Sequence, residues 1–212
     1  MSDDAFREVL RRRAEAAEIA LHPLLEDKIA AYFGLLAHWN TRINLTSLPL
    51  EPPTEQAVDR LFVEPLVAAS LVKPNISSWF DLGSGGGSPA IPLQLARPAQ
   101  RLVMVESKER KAAFLREVIR AIPVTGAEVE VSRIESVAAE TRNAGVADLV
   151  TVRAIRMEAS MIGWIQSLLR FGGQAVLFGA DTSISHLPRG LELTNAVGTA
   201  GRGLVILRRS GL

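Results

Sequence analysis

Apolar residues recur at helical spacing over the first third of the chain: Phe6, Val9 and Leu10, then Leu24, Leu25, Ile29, Phe33 and Leu36, up to Trp39. A stripe of that period is the core-facing side of an amphipathic helix, so the segment from about Asp4 to Leu71 reads as a helical cap. Pro49, Pro52 and Pro53 interrupt it, and Thr54 offers a side-chain cap to a further helix carrying Val58, Leu61 and Phe62. From Ser78 the pattern changes to short apolar runs alternating with helical stretches. These are strand Trp79–Leu82, helix Pro89–Ala96, strand Leu102–Glu106, helix Lys108–Ile122, strand Glu128–Val131 and strand Asp148–Val152. Glu158–Leu169 returns to helix spacing, and Gly172-Gly173 leads into strand Gln174–Phe178. Such alternation predicts an α/β fold with a mostly parallel, doubly wound sheet. Leu191–Val197 and Gly203–Leu207, joined by a glycine-rich turn, read as an antiparallel C-terminal edge. The expectation is an N-terminal helical region over residues 1–72 and a sheet domain over 73–212, packed as one unit.

The run Trp79-Phe80-Asp81-Leu82-Gly83-Ser84-Gly85-Gly86-Gly87-Ser88-Pro89 joins a buried strand to a helix through glycines. Glycine allows positive φ and lets a ligand lie against bare main chain, and the following helix offers unpaired N–H groups. Pro89 is expected in that helix's first turn, where its missing N–H costs nothing. Glu106 ends the next strand at the offset, roughly 20 residues on, expected of an acid that grips a ribose diol. An adenosine-type cofactor follows. A dinucleotide fingerprint wants glycine where Ser88 stands, whereas Asp-x-Gly-x-Gly-x-Gly is the usual first motif of Rossmann-like methyltransferases that use S-adenosylmethionine. The methyltransferase is therefore the leading reading and an NAD-linked oxidoreductase its competitor.

Composition narrows the chemistry. Of 212 residues, 48% are apolar, enough for a packed core, and no apolar stretch approaches a membrane span. The start Met1-Ser2-Asp3-Asp4 lacks a secretory pattern, so the cytoplasm is the expected location. The absence of cysteine excludes thiolate catalysis and cysteine zinc sites, and three scattered histidines (His22, His38, His186) make no metal set. The net charge of +1 neither demands nor forbids a polyanionic partner. Local basic clusters do exist at Arg11–Arg13 and Lys108–Lys111, each of which also reads as a solvated helix face.

Taken in order, His38-Trp39-Asn40-Thr41-Arg42-Ile43-Asn44-Leu45-Thr46, Arg60, Asp81–Pro89, Glu106-Ser107-Lys108-Glu109-Arg110-Lys111 and Thr151-Val152-Arg153-Ala154 resemble the RsmG (GidB) family over nearly the whole chain. That resemblance implies a methyltransferase acting on guanine N7 in 16S ribosomal RNA, free or in an assembled or partly assembled 30S particle, with S-adenosylmethionine as methyl donor. It implies donor contacts at Gly83, Gly85, Ser88, Glu106, Ile134, Glu135 and Arg153, and it draws Asn40, Asn44 and Arg153 toward the catalytic centre. Capping is the plainer role for the two asparagines, an ion pair for Arg153, a helix surface for Glu135 and a helix cap for Glu106. Two departures stand out. Phe178-Gly179 replaces a common Lys-Gly, and Val152 replaces a small residue before Arg-Ala. They keep open a non-catalytic or retargeted RNA-binding relative.

Guanine N7 carries a lone pair and no proton, so its methylation needs alignment rather than a base. The chain accordingly offers no Ser/His/Asp set or paired catalytic carboxylates. The target base must be unstacked or lie in a loop, with backbone phosphate held by Arg11–Arg13, Arg42, Arg60 and Lys108–Lys111. A monomer is expected, and Trp39, Trp79 and Trp164 are expected in the core.

Overall fold

The computed structural model describes residues 2–155, 158–181, 187–199 and 202–211; His186 lies outside them. Helix α1 (Ser2–Ala16) packs against α2 (Pro23–Asn40), and a loop leads to α3 (Glu55–Val58), one π-helical turn (Asp59–Val63) and α4 (Glu64–Leu71). Thr54 caps α3 as expected, its Oγ1 accepting from Ala57 N–H at 3.2 Å. The sheet segment runs β1 (Ser78–Leu82), α5 (Ala90–Ala96), β2 (Arg101–Glu106), α6 (Glu109–Ala121), β3 (Ala127–Val131), α7 (Ile134–Ala139), β4 (Ala147–Arg153), α8 (Ala159–Leu168), β5 (Leu169–Asp181), β6 (Leu191–Thr199) and β7 (Arg202–Arg209).

The seven strands lie in the order β3-β2-β1-β4-β5-β7-β6. The first five are parallel, and β7 runs antiparallel to both β5 and β6. The expected antiparallel pair is present, but its reversed member is inserted one strand in from the edge. The strand order reverses direction beside β1, and in open α/β sheets the crevice at such a point, at the carboxyl ends of the strands, receives ligands.

One core packs the N-terminal helices onto one face of the sheet, joining Phe6, Phe33 and Phe62 to Trp79, Leu102 and Met104. Phe6 stacks on Phe33 with centroids 3.9 Å apart, and Phe62 meets Phe6 edge-on at 4.9 Å. Trp79 is fully buried, and Trp39, half-buried, packs on Phe114 at 5.8 Å. A second core, with Phe80, Val103, Val150 and Ile165, fills the other face, with half-buried Trp164 packed against it. Pro89 departs from expectation: it precedes the first turn as the N-cap residue, and α5 begins at Ala90. Among the described residues no helix is long and apolar enough to cross a membrane.

Candidate active site

A cavity of about 620 Å³ opens at the carboxyl ends of the parallel strands. Its floor is the turn after β1. Gly83 (φ +74°) and Gly85 (φ +52°) adopt left-handed backbone, and a β-carbon on Gly83 would stand 2.7 Å from Ile155 Cδ1. Backbone conformation favours glycine at both positions, the Gly83 contact being with the movable end of the Ile155 side chain. The turn is tied down from several directions. Tyr32 Oη donates to Gly86 O at 2.6 Å, and Ser88 Oγ donates to Leu61 O at 2.7 Å, fastening the turn to the π-helical turn.

Glu106, 7% exposed at the end of β2, accepts from Gly85 N–H through Oε2 (2.9 Å) and from Lys108 N–H through Oε1 (2.8 Å). Glu106 is not the N-cap of α6, which is Lys108 with no side-chain cap; it ties the glycine turn to the residue ahead of that helix, and each oxygen keeps acceptor capacity for a hydroxyl, since a carboxylate offers about four lone-pair sites. At the next strand end, Trp79 Nε1 donates to Thr151 Oγ1 at 2.8 Å, and the Thr151 hydroxyl donates to Asp81 Oδ1. Asp81 Oδ2 is buried without a partner, and burial pushes the carboxyl up to about 6, against the pull of the Ser84 and Thr151 hydroxyls.

Arg153 closes β4 and lines the cavity. Its Nη1 donates to Glu64 Oε2 at 2.9 Å, and the guanidinium lies 4.5 Å from the Phe178 ring centroid. Desolvation pulls its affinity for the proton down, and the Glu64 carboxylate opposes this.

The other expected site residues divide. Asn44 lines the cavity together with Leu45, Thr46 and Ser47. Asn40 lies outside the cavity lining: its Oδ1 accepts from Leu45 N–H (2.9 Å) and Thr46 N–H (3.0 Å), which holds that loop in place. Ile134, also outside the lining, reaches 3.9 Å from the point where a β-carbon on Gly83 would stand. Glu135 faces Arg133 at 3.4 Å with its side chain 45% exposed, away from the cavity lining.

Glu64 and Tyr32 carried no signal in the sequence, and Thr151, Leu45 and Thr46 stood only within the family-like runs, with no role of their own. Only Asn44 itself carried a readable signal there, because the others are placed by packing between distant segments.

Arg11–Arg13, expected to hold phosphate or to form a solvated helix face, meet acids of other segments. Arg11 pairs with Glu26, Arg12 with Glu55, and Arg13 bidentately with Asp59, so all three tie α1 to its neighbours. Arg60 and Lys111 instead line the cavity, Arg110 Nη2 donates to Arg42 O at 3.5 Å, and these four with Lys108 form no ion pair with a described residue.

A family model described as GidB, rRNA small subunit methyltransferase G, matches residues 25–189. The chain belongs to this family. Among relatives bearing the name ribosomal RNA small subunit methyltransferase G, that of Stenotrophomonas maltophilia is 33% identical, covering 89% of this chain and 86% of its own. That of Roseiflexus sp. is 32% identical, over 91% and 77%. Among solved structures, a protein of Escherichia coli described as a methyltransferase superposes with a TM-score of 0.58 at 13% identity, covering 68% of this chain and 83% of that one. One from Methanococcus maripaludis, described as an S-adenosyl-L-methionine-dependent methyltransferase, gives 0.53 at 13% identity, over 74% and 90%. These last two show the fold. Membership of the rRNA small subunit methyltransferase G family makes this chain an RNA methyltransferase and removes the oxidoreductase alternative.

Proposed function

We propose that the chain transfers a methyl group from S-adenosylmethionine to N7 of a guanine in small-subunit ribosomal RNA. The observation that carries the reading is the convergence of the Gly83–Gly85 turn, Glu106 and Arg153 on one cavity at the strand ends. The residues present fit the donor. The bare main chain of the turn leaves room for it, Glu106 retains acceptor sites for a ribose diol, and Arg153 offers a buried donor edge. When bound, S-adenosylmethionine supplies an electrophilic methyl group on a sulfonium centre.

The chain's own part is placement. Glu106 and the glycine turn fix the adenosyl end, and Ser88 holds the turn against the π-helical turn that carries Arg60. Asn40 sets the loop that brings Asn44 into the cavity, where its amide can both donate and accept toward a guanine edge. No residue has to take a proton, because N7 has none to give; alignment and exclusion of water carry the rate. Phosphate flanking the unstacked guanine meets Arg42, Arg60, Lys108, Arg110 and Lys111 around the mouth. A folded or partly assembled small subunit, acted on by a monomer, is the substrate this rim suits.

Small ribosomal subunits from cells lacking the activity, incubated with the protein and methyl-labelled donor, test the reading by mass mapping of their RNA. One guanine should gain one methyl group, located at N7 by strand cleavage specific for that product. Absence of label from the RNA, or label at another atom, would refute it.

A further inference from the structure

Phe171 is 66% exposed and belongs to neither core. It stands at the amino end of the sheet, away from the cavity, where β5 opens with Arg170-Phe171-Gly172-Gly173. The chain bends tightly against β4 there, since a β-carbon on Gly173 would lie 2.6 Å from Ala147 O. The bend turns the ring outward, yet the ring is held. The Arg209 guanidinium lies over it, 4.7 Å from the centroid, and Arg209 Nη1 donates to Gln166 O at 3.0 Å and to Leu169 O, which fixes the guanidinium in turn. A ring backed on one face by an anchored cation leaves its other face open to a partner.

The surroundings are basic. Lys73 Nζ donates to Gly172 O at 2.9 Å, which uses one of its three N–H groups. Neither Lys73 nor Arg209 has an acidic partner among the described residues, and the acids beside them are spent. Asp148 accepts from Arg170 and from the N–H groups of Ser77 (2.8 Å) and Ser78 (3.0 Å), and Glu192 pairs with Arg208 at 3.0 Å. Charge complementarity therefore selects an anionic partner, and the ring narrows the choice. Every nucleobase has a π-face that stacks on an aromatic ring, and such stacking beside a cation that meets phosphate holds single strands without regard to sequence. This chain belongs to a family that acts on RNA, so the partner with that chemistry is its own substrate.

We propose that Phe171, Arg209 and Lys73 form a second RNA contact, in which an unpaired base stacks on the open face of Phe171 and its phosphate meets the Lys73 ammonium. Phe178 lines the cavity seven residues further along β5, so at about 3.3 Å per residue the two sites lie at most about 23 Å apart along the strand. One folded RNA bridges that distance while its target base is unstacked in the cavity. The platform touches neither the donor nor the target base, so it acts on affinity for RNA alone. The inference rests on the family's RNA substrate and stands whichever base atom receives the methyl group.

Fluorescence anisotropy of a labelled single-stranded oligoadenylate and steady-state methyl transfer to small subunits test this on the full chain. Phe171→Ala should weaken the oligonucleotide about five- to twentyfold and raise KM for small subunits by a similar factor, while kcat and the affinity for S-adenosylhomocysteine hold at wild-type values. Phe171→Leu, which keeps apolar area without a ring, should lose as much, and Phe171→Trp should bind at least as tightly as the wild type. Lys73→Gln should reduce the slope of the log association constant against log[salt] by about 0.7, the contribution of one phosphate of a single strand. Unchanged oligonucleotide affinity and KM in Phe171→Ala would overturn the proposal. So would a wild-type KM in Phe171→Leu beside a raised one in Phe171→Ala, which would assign the side chain to a protein of the particle, or wild-type protein with no affinity for the oligonucleotide.

Discussion

On α1, Arg7, Arg11, Arg12 and Arg13 each meet a carboxylate of a neighbouring helical segment, through Glu26, Asp27, Glu55 and Asp59. Around the cavity the same kinds of group are left incomplete. Arg42, Arg60, Lys108, Arg110 and Lys111 have no acidic partner among the described residues and Arg153 keeps an unpaired edge, while Asp81, buried in β1 outside the cavity lining, keeps an unpaired oxygen. The contrast separates two uses of charge. Pairing satisfies a charge within the fold and makes it structural, whereas an unpaired charge at a cavity is held ready for something outside the chain. Basic clusters that look alike in sequence therefore differ in meaning according to what lies opposite them.

Asp81 and Asp59 break or sharpen that contrast most strongly. Asp59 is held by two Arg13 nitrogens at 2.7 Å, while Asp81 is fully buried with no ion pair, helped only by the Ser84 and Thr151 hydroxyls and the more distant charge of Arg153. Unfolded, the Asp81 carboxyl titrates near 3.8; folded, it titrates at about 6 because burial penalises the charged form. Between those values the folded protein holds a proton that the unfolded chain has released, so protonation stabilises the fold at the acidic end. That contribution is lost as pH rises through about 6. Relative to Asp81→Asn, the wild-type protein should lose about 2 to 2.5 kcal/mol of unfolding free energy between pH 4 and pH 7.5. Urea unfolding of both proteins at the two pH values checks this, and parallel curves would show that the carboxyl is relieved by some contact of its own.

The paired side gives a smaller effect. Arg13→Ala should cost about 1 kcal/mol, a bidentate but half-exposed pair being worth little more, and should lower Tm by about 2–4 °C. Methyl transfer to small subunits should be unchanged. A loss of transfer with full stability would place α1 in the RNA interface after all.

The strand and helix sequence was legible from periodicity because most elements satisfy one local pattern, and the glycine turn with Glu106 was legible because backbone conformation and strand-end position restrict residue type. What escaped depended on contacts between distant segments. Arg153 showed as a strand-end cation, but its partner Glu64 lies 89 residues away on a helix whose register is shifted by the π-helical turn. Phe178 read as the loss of a cation, and only the β4–β5 register reveals it beneath Arg153. Asn40 was seen as relevant, yet its service to Leu45 and Thr46 needs the loop's three-dimensional path. Arg11–Arg13 looked free because the acids opposite them come from other helices.

The central claim, that unpaired rim charges and not the paired α1 charges receive the RNA, is tested most directly by the salt dependence of kcat/KM for methyl transfer to small subunits. Each phosphate contact removed should reduce the slope of log(kcat/KM) against log[salt] by about 0.7–0.9, so Arg42→Ala with Arg110→Ala should flatten it by about 1.5. Arg11→Ala with Arg12→Ala, which removes two equally exposed arginines, should leave the slope at its wild-type value. A slope flattened by the α1 pair and untouched by the rim pair would contradict the account.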